Sequence, residues 1–545
     1  MKIACYQSNP MVGDIDGNIS DMISAVENAK KSGAEIFLAP ELSLTGYAVQ
    51  DLILRPHFQK TATEAIQIFL DITDIIIIIA LPFLDNHNLF NSIFIINQGT
   101  IIGRYDKFSL PNYGVFDEKR YFRPGESLPI SLNNNGIKYS FLICEDIWQD
   151  TPHRNRVLAD NDLVLVPNAS PFAYKKHDTR IKLFSDLAKK YQTAIVYVNQ
   201  IGAEDGLIFD GASFAISSDG NLTYQAKSFN TALDVIEAYK DNGLVYIKPE
   251  ILEQYPQEIS VIYQALVLGL ADYCKKNQFK TIILGLSGGI DSALVLMIAV
   301  DALGADNVKT YMLHSKYNSA ESISNAQYLA QNMKVEHEEI DIMPAFEILI
   351  SSLGLQNLKH AGHLAKNDVN IDLTLQNLQA RIRGNILMAK ANQYSGILVN
   401  TSNKSEIALG YGTLYGDLAG GYAVLKDVYK TIVYKLVAYR DPWHNLVPQH
   451  IIDRAPSAEL KENQEDQDTI PPYDLLDKIL EQMIEHKRSI TEIVTMGYDA
   501  TIVEYVARTL FANEYKRSQL AVGTKITDMA FNIDWRYPIT KKIKL

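Results

Sequence analysis

Cysteine is scarce in this chain. Cys5, Cys144 and Cys274 are the only three in 545 residues. So few, so widely scattered, exclude a disulfide-built scaffold and a structural zinc site, and they point to a reducing compartment. Long apolar runs are also missing. The longest, Ile75–Leu84, is closed by Asp74 and Asp85, too short to cross a bilayer as a helix. Its five consecutive isoleucines predict instead a strand buried on both faces. The opening MKIACYQSNP has no apolar stretch of the signal-peptide kind, so a soluble cytoplasmic protein is expected. Positive charge is in deficit, with 51 Lys and Arg against 64 Asp and Glu, a net −13. That balance argues against a general nucleic-acid or anionic-membrane binder and leaves room for local sites that take a phosphate ligand. No repeat at solenoid periods is visible.

Apolar residues at 47% and charged residues at 21% are in the ordinary globular range, and the length predicts two to four domains. The first half alternates strand-like runs with helical patterns. KIACYQ, EIFLAP, IIIIIALPF, NSIFIIN, YSFLICED, LVLVPNAS, AIVYVNQ and ASFAIS read as strands, and 17–32 and 180–191 as helices. This is an α/β layout with a large, mostly buried sheet. The text changes between Thr231 and Pro256, where Lys240 to Gly243 form a polar turn. We therefore expect a first domain at 1–245, a linker at 246–260 and a second α/β domain at 261–545. An amphipathic helix over 258–276 leads into that domain. Asp453–Pro472 is polar and poor in helix signals, and is expected to be a mobile surface loop.

Three separated blocks of the first half share one chemistry. Cys144 closes the run YSFLIC; Glu41 lies in PELSLTGY; Lys107 and Glu118 lie in GRYDKFSLPNYGVFDEKRYF. Alone, the cysteine reads as a buried hydrophobe and the others as surface charges. Together they supply a nucleophile, a base and an oxyanion donor. A thiol with a pKa of about 8.5 is mostly protonated at neutral pH and needs a carboxylate to take its proton as it attacks a carbonyl. An ammonium can then stabilise the oxyanion. The three blocks, in this order, resemble the signature of the nitrilase/amidase superfamily over roughly residues 1–250. That resemblance implies an α-β-β-α sandwich and cleavage of carbon–nitrogen bonds through a thioester. It makes Glu41, Lys107, Cys144 and Glu118 catalytic, and Tyr113, Ser170 and Lys176 glutamine-binding.

In the second half, SGGIDS follows the strand-like TIILGL and opens a helix. Glycines let backbone N–H groups close on an anion, and the helix start adds its positive end. The Gly-Lys-Ser/Thr ending of a Walker A loop is absent. The string resembles the loop of the ATP pyrophosphatase family, which implies a Rossmann-like parallel sheet and cleavage of ATP between its α- and β-phosphates. The blocks LQNLQARIRGNILMAKAN, VNTSNKSEIALGYGTLYGDLAGGYAVLKDVYKT and NEYKRSQLAVGTKIT resemble NAD synthetases. By that resemblance Gly285, Leu286, Ser287, Gly288, Gly289, Ile290, Asp291, Ser292 and Thr401 bind ATP. Asn377, Glu406 and Lys516 bind deamido-NAD, and Asp291 and Glu406 hold Mg²⁺. His314 stands where the family pattern has a proline, and RSQLAVG lacks a proline and an arginine of that pattern.

A carboxylate and ammonia do not condense in water at a useful rate. An adenylate activates the acid, and an internal amidase supplies ammonia before water protonates it. The combined resemblance, to the glutamine-dependent NAD synthetase family, implies an ATP-dependent ligase. It would amidate deamido-NAD to NAD with ammonia from L-glutamine, along a dry path from Cys144 to the Ser287 loop. The expected partners are small-molecule substrates and further copies of the chain, not nucleic acid or membrane. An alternative keeps both sites and changes the carboxylate or nucleotide acceptor. A non-catalytic scaffold would have no use for both constellations.

Overall fold

The computed structural model describes residues 1–355, 369–457, 459–461, 466 and 470–542. The chain divides into two compact units, Met1–Glu258 and Ile259–Leu545.

In the first unit two sheets share a core. The seven-stranded sheet has the order Leu244–Ile247, Ala232–Asp241, Lys2–Gln7, Ile36–Leu38, Ile76–Asp85, Asn88–Asn97, Thr100–Asp106. The six-stranded sheet runs Leu222–Gln225, Phe214–Ile216, Ala194–Asn199, Leu163–Asn168, Ile137–Phe141, Leu132–Asn134. The isoleucine run explains the layering. Ile78 and Ala80 pack into a core with Phe141, Leu165 and Val196 of the other sheet. Ile77, Ile79 and Leu81 face the opposite way, onto Ile19, Met22 and Val26 of helix Ile15–Lys31. Alternation along the strand puts successive side chains on opposite faces, and each buried isoleucine contributes roughly 1.5–3 kcal/mol. On the far side, Val164, Val166 and Ile195 meet Phe184 and Leu187 of helix Lys176–Tyr191. The four layers form the expected α-β-β-α sandwich.

The stretch read as a change of text at 231–256 is more ordered than its polarity suggests. Ala232–Asp241 pairs antiparallel with Lys2–Gln7 and then with Leu244–Ile247. Asn242 and Gly243 turn the hairpin with φ of 49° and 86°, the positive values that favour an Asn-Gly pair. Both strands have half-exposed faces, which dilutes their hydrophobic signal. Residues 246–260, expected as linker, contain the end of the last strand and the first residues of helix Glu258–Lys276.

The second unit is built on a five-stranded parallel sheet with the order Glu336–Asp341, Val308–His314, Ile282–Gly285, Ile397–Asn400, Tyr422–Ala423. Ile282–Gly285 comes first in the chain. Two strands are then added on one side and two on the other. The order therefore reverses between Ile282–Gly285 and Ile397–Asn400, and ligands of open α/β sheets bind in the crevice at such a switch point. The loops leaving these two strands are SGGIDS and Thr401–Asn403. Helix Val369–Gln393 carries Arg381 and Arg383 near its middle. C-terminal helices form a separate core around Leu476, Leu480, Val503 and Leu510, closed by Phe531 and Trp535.

Candidate active sites

In the first unit Glu41, Lys107 and Glu118 converge. Lys107, directly after strand Thr100–Asp106, donates to Glu41 Oε1 at 2.6 Å and to Glu118 Oε1 at 2.7 Å. An ammonium has three protons, so these bonds leave one for a further acceptor. Glu41 is clamped from two more elements: Asn91 Nδ2 donates to Oε1 at 2.7 Å and the Ala169 N–H to Oε2 at 3.0 Å. Tyr47 donates to Glu118 Oε1 at 2.9 Å. All three charged side chains are nearly inaccessible, at 1%, 1% and 4% exposure for Lys107, Glu41 and Glu118. Burial alone would lower Lys107, but the Glu118 and Glu41 carboxylates outweigh it and hold the ammonium well above the usual lysine range. Burial raises Glu118 to about 7, against the pull of Lys107.

Cys144 belongs to the same cluster, since burial first and the Glu41 carboxylate second push its thiol well up while Lys107 pulls it down. The resting group is therefore a thiol that needs a base. The structure corrects its local setting. The strand ends at Phe141, and Cys144 sits on the turn into the short helix Glu145–Trp148 with φ 41° and ψ −97°. This is a strained conformation for a residue with a Cβ, of the kind found at reactive side chains. Its N–H is tied to Pro167 O at 3.0 Å.

Asp146 joins this turn to the lysine loop. It accepts from the Ile143, Phe108 and Ser109 N–H groups at 3.0, 3.1 and 2.6 Å and from Tyr105 OH at 2.7 Å. Of the residues expected to bind glutamine, Tyr113 donates to both Glu145 oxygens at 3.0 and 2.9 Å. Ser170 is buried, its N–H on Asn199 Oδ1 at 2.8 Å. Lys176 donates to Pro171 O at 3.1 Å. Burial, then Arg180, lowers Lys176 to about 8.

In the second unit the expected phosphate loop lines a cavity of about 320 Å³, together with Thr401, Glu406, Arg383, Asp417 and Arg454. Gly288 has φ +79°, and a Cβ there would come within 2.3 Å of Ser322 O, so only glycine fits. Asn403 couples the two crevice loops. It caps helix Lys404–Leu409 through Glu406 N at 3.0 Å, and its Nδ2 donates to Asp291 Oδ1 at 3.1 Å. Lys430 ion-pairs with Asp291 and stands 3.7 Å from Glu406 Oε1. Burial, then the Asp291 charge, raises Glu406 to about 8.

Asn377 and Lys516 are not among the cavity-lining residues. Asn377 accepts from Thr413 Oγ1 at 2.8 Å, and Lys516 donates to Gly410 O at 2.8 Å and Gly412 O at 2.9 Å. Both hold the loop that carries Asp417. In the stretch expected as a mobile loop, Arg454, Ser457, Glu459 and Asp466 line the cavity. Residues 458, 462–465 and 467–469 lie outside the described residues.

Sequence reasoning missed Tyr47, Asn91, Asp146 and Lys430. Three of them lie inside quoted blocks, in PELSLTGY, in YSFLICED and in the KDVYKT end of the long second-half block. Asn91 had no motif: strand pairing of Ser92 with Asp106 sets it opposite Lys107.

These two sites and folds define a class: a carbon–nitrogen hydrolase unit joined to a nucleotide-activating synthase unit. The carbon–nitrogen hydrolase family profile matches residues 2–238 and the NAD synthase profile residues 262–520. The glutamine-dependent NAD(+) synthetase of Acinetobacter baylyi is 40% identical over 543 residues, covering 99% of this chain and 98% of that protein. The enzyme of the same name from Aquifex aeolicus is 39% identical, with 99% of each covered. A solved glutamine-dependent NAD+ synthetase from Acinetobacter baumannii, in complex with ADP, superimposes with a TM-score of 0.78 at 39% identity, covering 99% and 98%. The chain belongs to the glutamine-dependent NAD(+) synthetase family.

Proposed function

We propose that this chain is a ligase that amidates deamido-NAD to NAD, consuming ATP and taking its nitrogen from L-glutamine. In the first unit Glu41 takes the Cys144 proton as the sulfur attacks the glutamine side-chain carbonyl. Lys107, held by Glu118, offers its remaining proton to the oxyanion. The tetrahedral adduct expels ammonia, and water then cleaves the thioester to glutamate. Tyr113, Ser170 and Lys176 bind the substrate. The observation that carries this reading is the closed Glu41–Lys107–Glu118 cluster, whose charges act on a Cys144 thiol that sits on a strained turn.

In the second unit the carboxylate of deamido-NAD attacks the α-phosphorus of ATP, and the Ser287–Ser292 loop receives the leaving pyrophosphate. Thr401 binds ATP; Asn377, Glu406 and Lys516 serve the dinucleotide. Ammonia adds to the acyl carbon and AMP leaves. Among the described residues no group of three or more His, Cys, Asp or Glu could hold a metal. Asp291 and Glu406, two carboxylates on one cavity wall, fit Mg²⁺, which takes one or two carboxylates and completes its shell with phosphate oxygens and water. When bound, it would neutralise phosphate charge.

Three buried free cysteines and a net acidic chain support a cytoplasmic enzyme that acts on small molecules. Among the described residues no helix is long and apolar enough to cross a membrane. We place the enzyme as a homo-oligomer, by likeness to other nitrilase-type proteins. Product analysis with amide-¹⁵N glutamine tests the whole reading. The label should appear in the carboxamide of NAD, and unlabelled ammonium kept well below the concentration that supports synthesis by itself should not dilute it. Label confined to free ammonium, or an acceptor other than deamido-NAD, would defeat it.

A further inference from the structure

The segment after strand Leu244–Ile247 is not a slack tether. Gln225, at the end of strand Leu222–Gln225, donates its N–H to Ile251 O at 3.0 Å. It accepts from the Glu253 N–H at 3.0 Å and donates its Nε2 to Glu253 O at 3.0 Å. The strap then reaches Tyr255. That ring lies flat on the His177 imidazole, with centroids 3.7 Å apart and planes at 4°. Its hydroxyl donates to Asp210 Oδ2 at 2.9 Å.

Asp210 is fully buried and takes Arg180 Nη1 on both oxygens, at 2.8 and 3.0 Å. Arg180, 1% exposed, spends Nη2 on Ser170 O at 3.1 Å, Ser170 Oγ at 3.3 Å and Pro171 O at 3.2 Å. Pro171 O also receives Lys176 Nζ, and Lys176 and His177 open the helix on which Arg180 lies. Two routes therefore run from Tyr255 to the residues assigned to glutamine. One passes through Asp210 and Arg180 to Ser170. The other passes through the His177 ring to the helix start at Lys176. The strap lies beyond residue 238, where the carbon–nitrogen hydrolase match ends.

We propose that Tyr255 is a positioning residue of the glutamine site, acting through Asp210, Arg180 and His177 to set Ser170 and Lys176. The inference rests on the glutaminase reading given above. A buried ion pair whose partners lose a hydrogen bond relaxes, and here the relaxing groups are those that hold the substrate rather than the thiol. Loss of the Tyr255 hydroxyl therefore weakens substrate binding and leaves the chemical step alone.

The test uses the full chain with the variant Tyr255→Phe, which keeps the ring on His177 and removes only the hydroxyl. The KM for glutamine should rise about three- to tenfold while kcat stays within about twofold. Ammonium-supported NAD formation should stay within about twofold. Amide hydrogen exchange over residues 168–182 should quicken. Tyr255→Ala, which also removes the stack, should raise the KM further; if that variant does not fold, Tyr255→Phe decides alone. An unchanged glutamine KM in folded Tyr255→Phe overturns the inference, as does an equal loss with both nitrogen sources. Cys144→Ala, assayed beside it, keeps the two questions apart: glutamine-supported synthesis surviving in that variant defeats the glutaminase reading and the inference with it, whereas its loss there beside an unchanged glutamine KM in Tyr255→Phe defeats the role of the strap alone.

Discussion

Each unit sets a lysine between two carboxylates, and the two arrangements differ in tightness. Lys107 holds Glu41 and Glu118 at 2.6 and 2.7 Å with almost no solvent exposure. Lys430 pairs with Asp291 but stands 3.7 Å from Glu406, on the wall of a cavity of about 320 Å³. In the proposed reaction the first cluster performs chemistry with its own side chains on a small amide, which requires groups that are preorganised and dry. The second would receive a polyanion, which requires charges free to exchange partners. The backbone shows the same contrast. The first site places strain at Cys144, at φ 41°; the second places it at Gly288, where a Cβ cannot fit.

Separating the two nitrogen sources breaks the comparison most sharply. Cys144→Ala should abolish glutamine-supported NAD formation, by at least about a thousandfold, and leave ammonium-supported formation within about twofold. Loss of both in a folded variant ends the two-site account. Asp291→Ala makes the opposite cut. NAD formation should fall about a hundredfold or more with either nitrogen source, while glutamate release from glutamine persists; synthesis at the normal rate would remove Asp291 from the phosphate site.

Gly288→Ala probes the loop alone. It should raise the KM for ATP at least about tenfold and cost about 1–3 kcal/mol of stability in thermal unfolding. A normal KM for ATP would mean that the loop does not close on the nucleotide.

The smallest effect concerns pH. Lys176, lowered to about 8 by burial and Arg180, is an ammonium below that pH and neutral above it. The kcat/KM for glutamine should therefore fall as pH rises through about 8, and Lys176→Arg should flatten that limb. A fall that survives in the arginine variant would assign it to another group.

Most of the architecture was legible because it rests on local pattern. The isoleucine run, the helix at 258–276 and the strand–glycine–helix passage at 282–290 follow from periodicity and turn chemistry. The hairpin at 232–247 was harder, because its strands expose one face and carry polar residues. The apolar run YSFLIC extends to Cys144, three residues past the end of the strand at Phe141, since such a run does not reveal where a ladder stops and a strained turn begins.

Residue types, spacing and order along the chain determined by themselves the family and the side chains proposed for its two chemistries. Tertiary structure alone decided who holds whom. Asn91 meets Glu41 through strand register, Asp146 ties the cysteine turn to the lysine loop, Lys430 restrains Asp291, and Tyr255 reaches Asp210 from a stretch that reads as a linker. The reason is physical: a motif reports the atom that reacts, but its orientation and charge state are set by hydrogen bonds and burial from residues distant in sequence, which leave no local pattern.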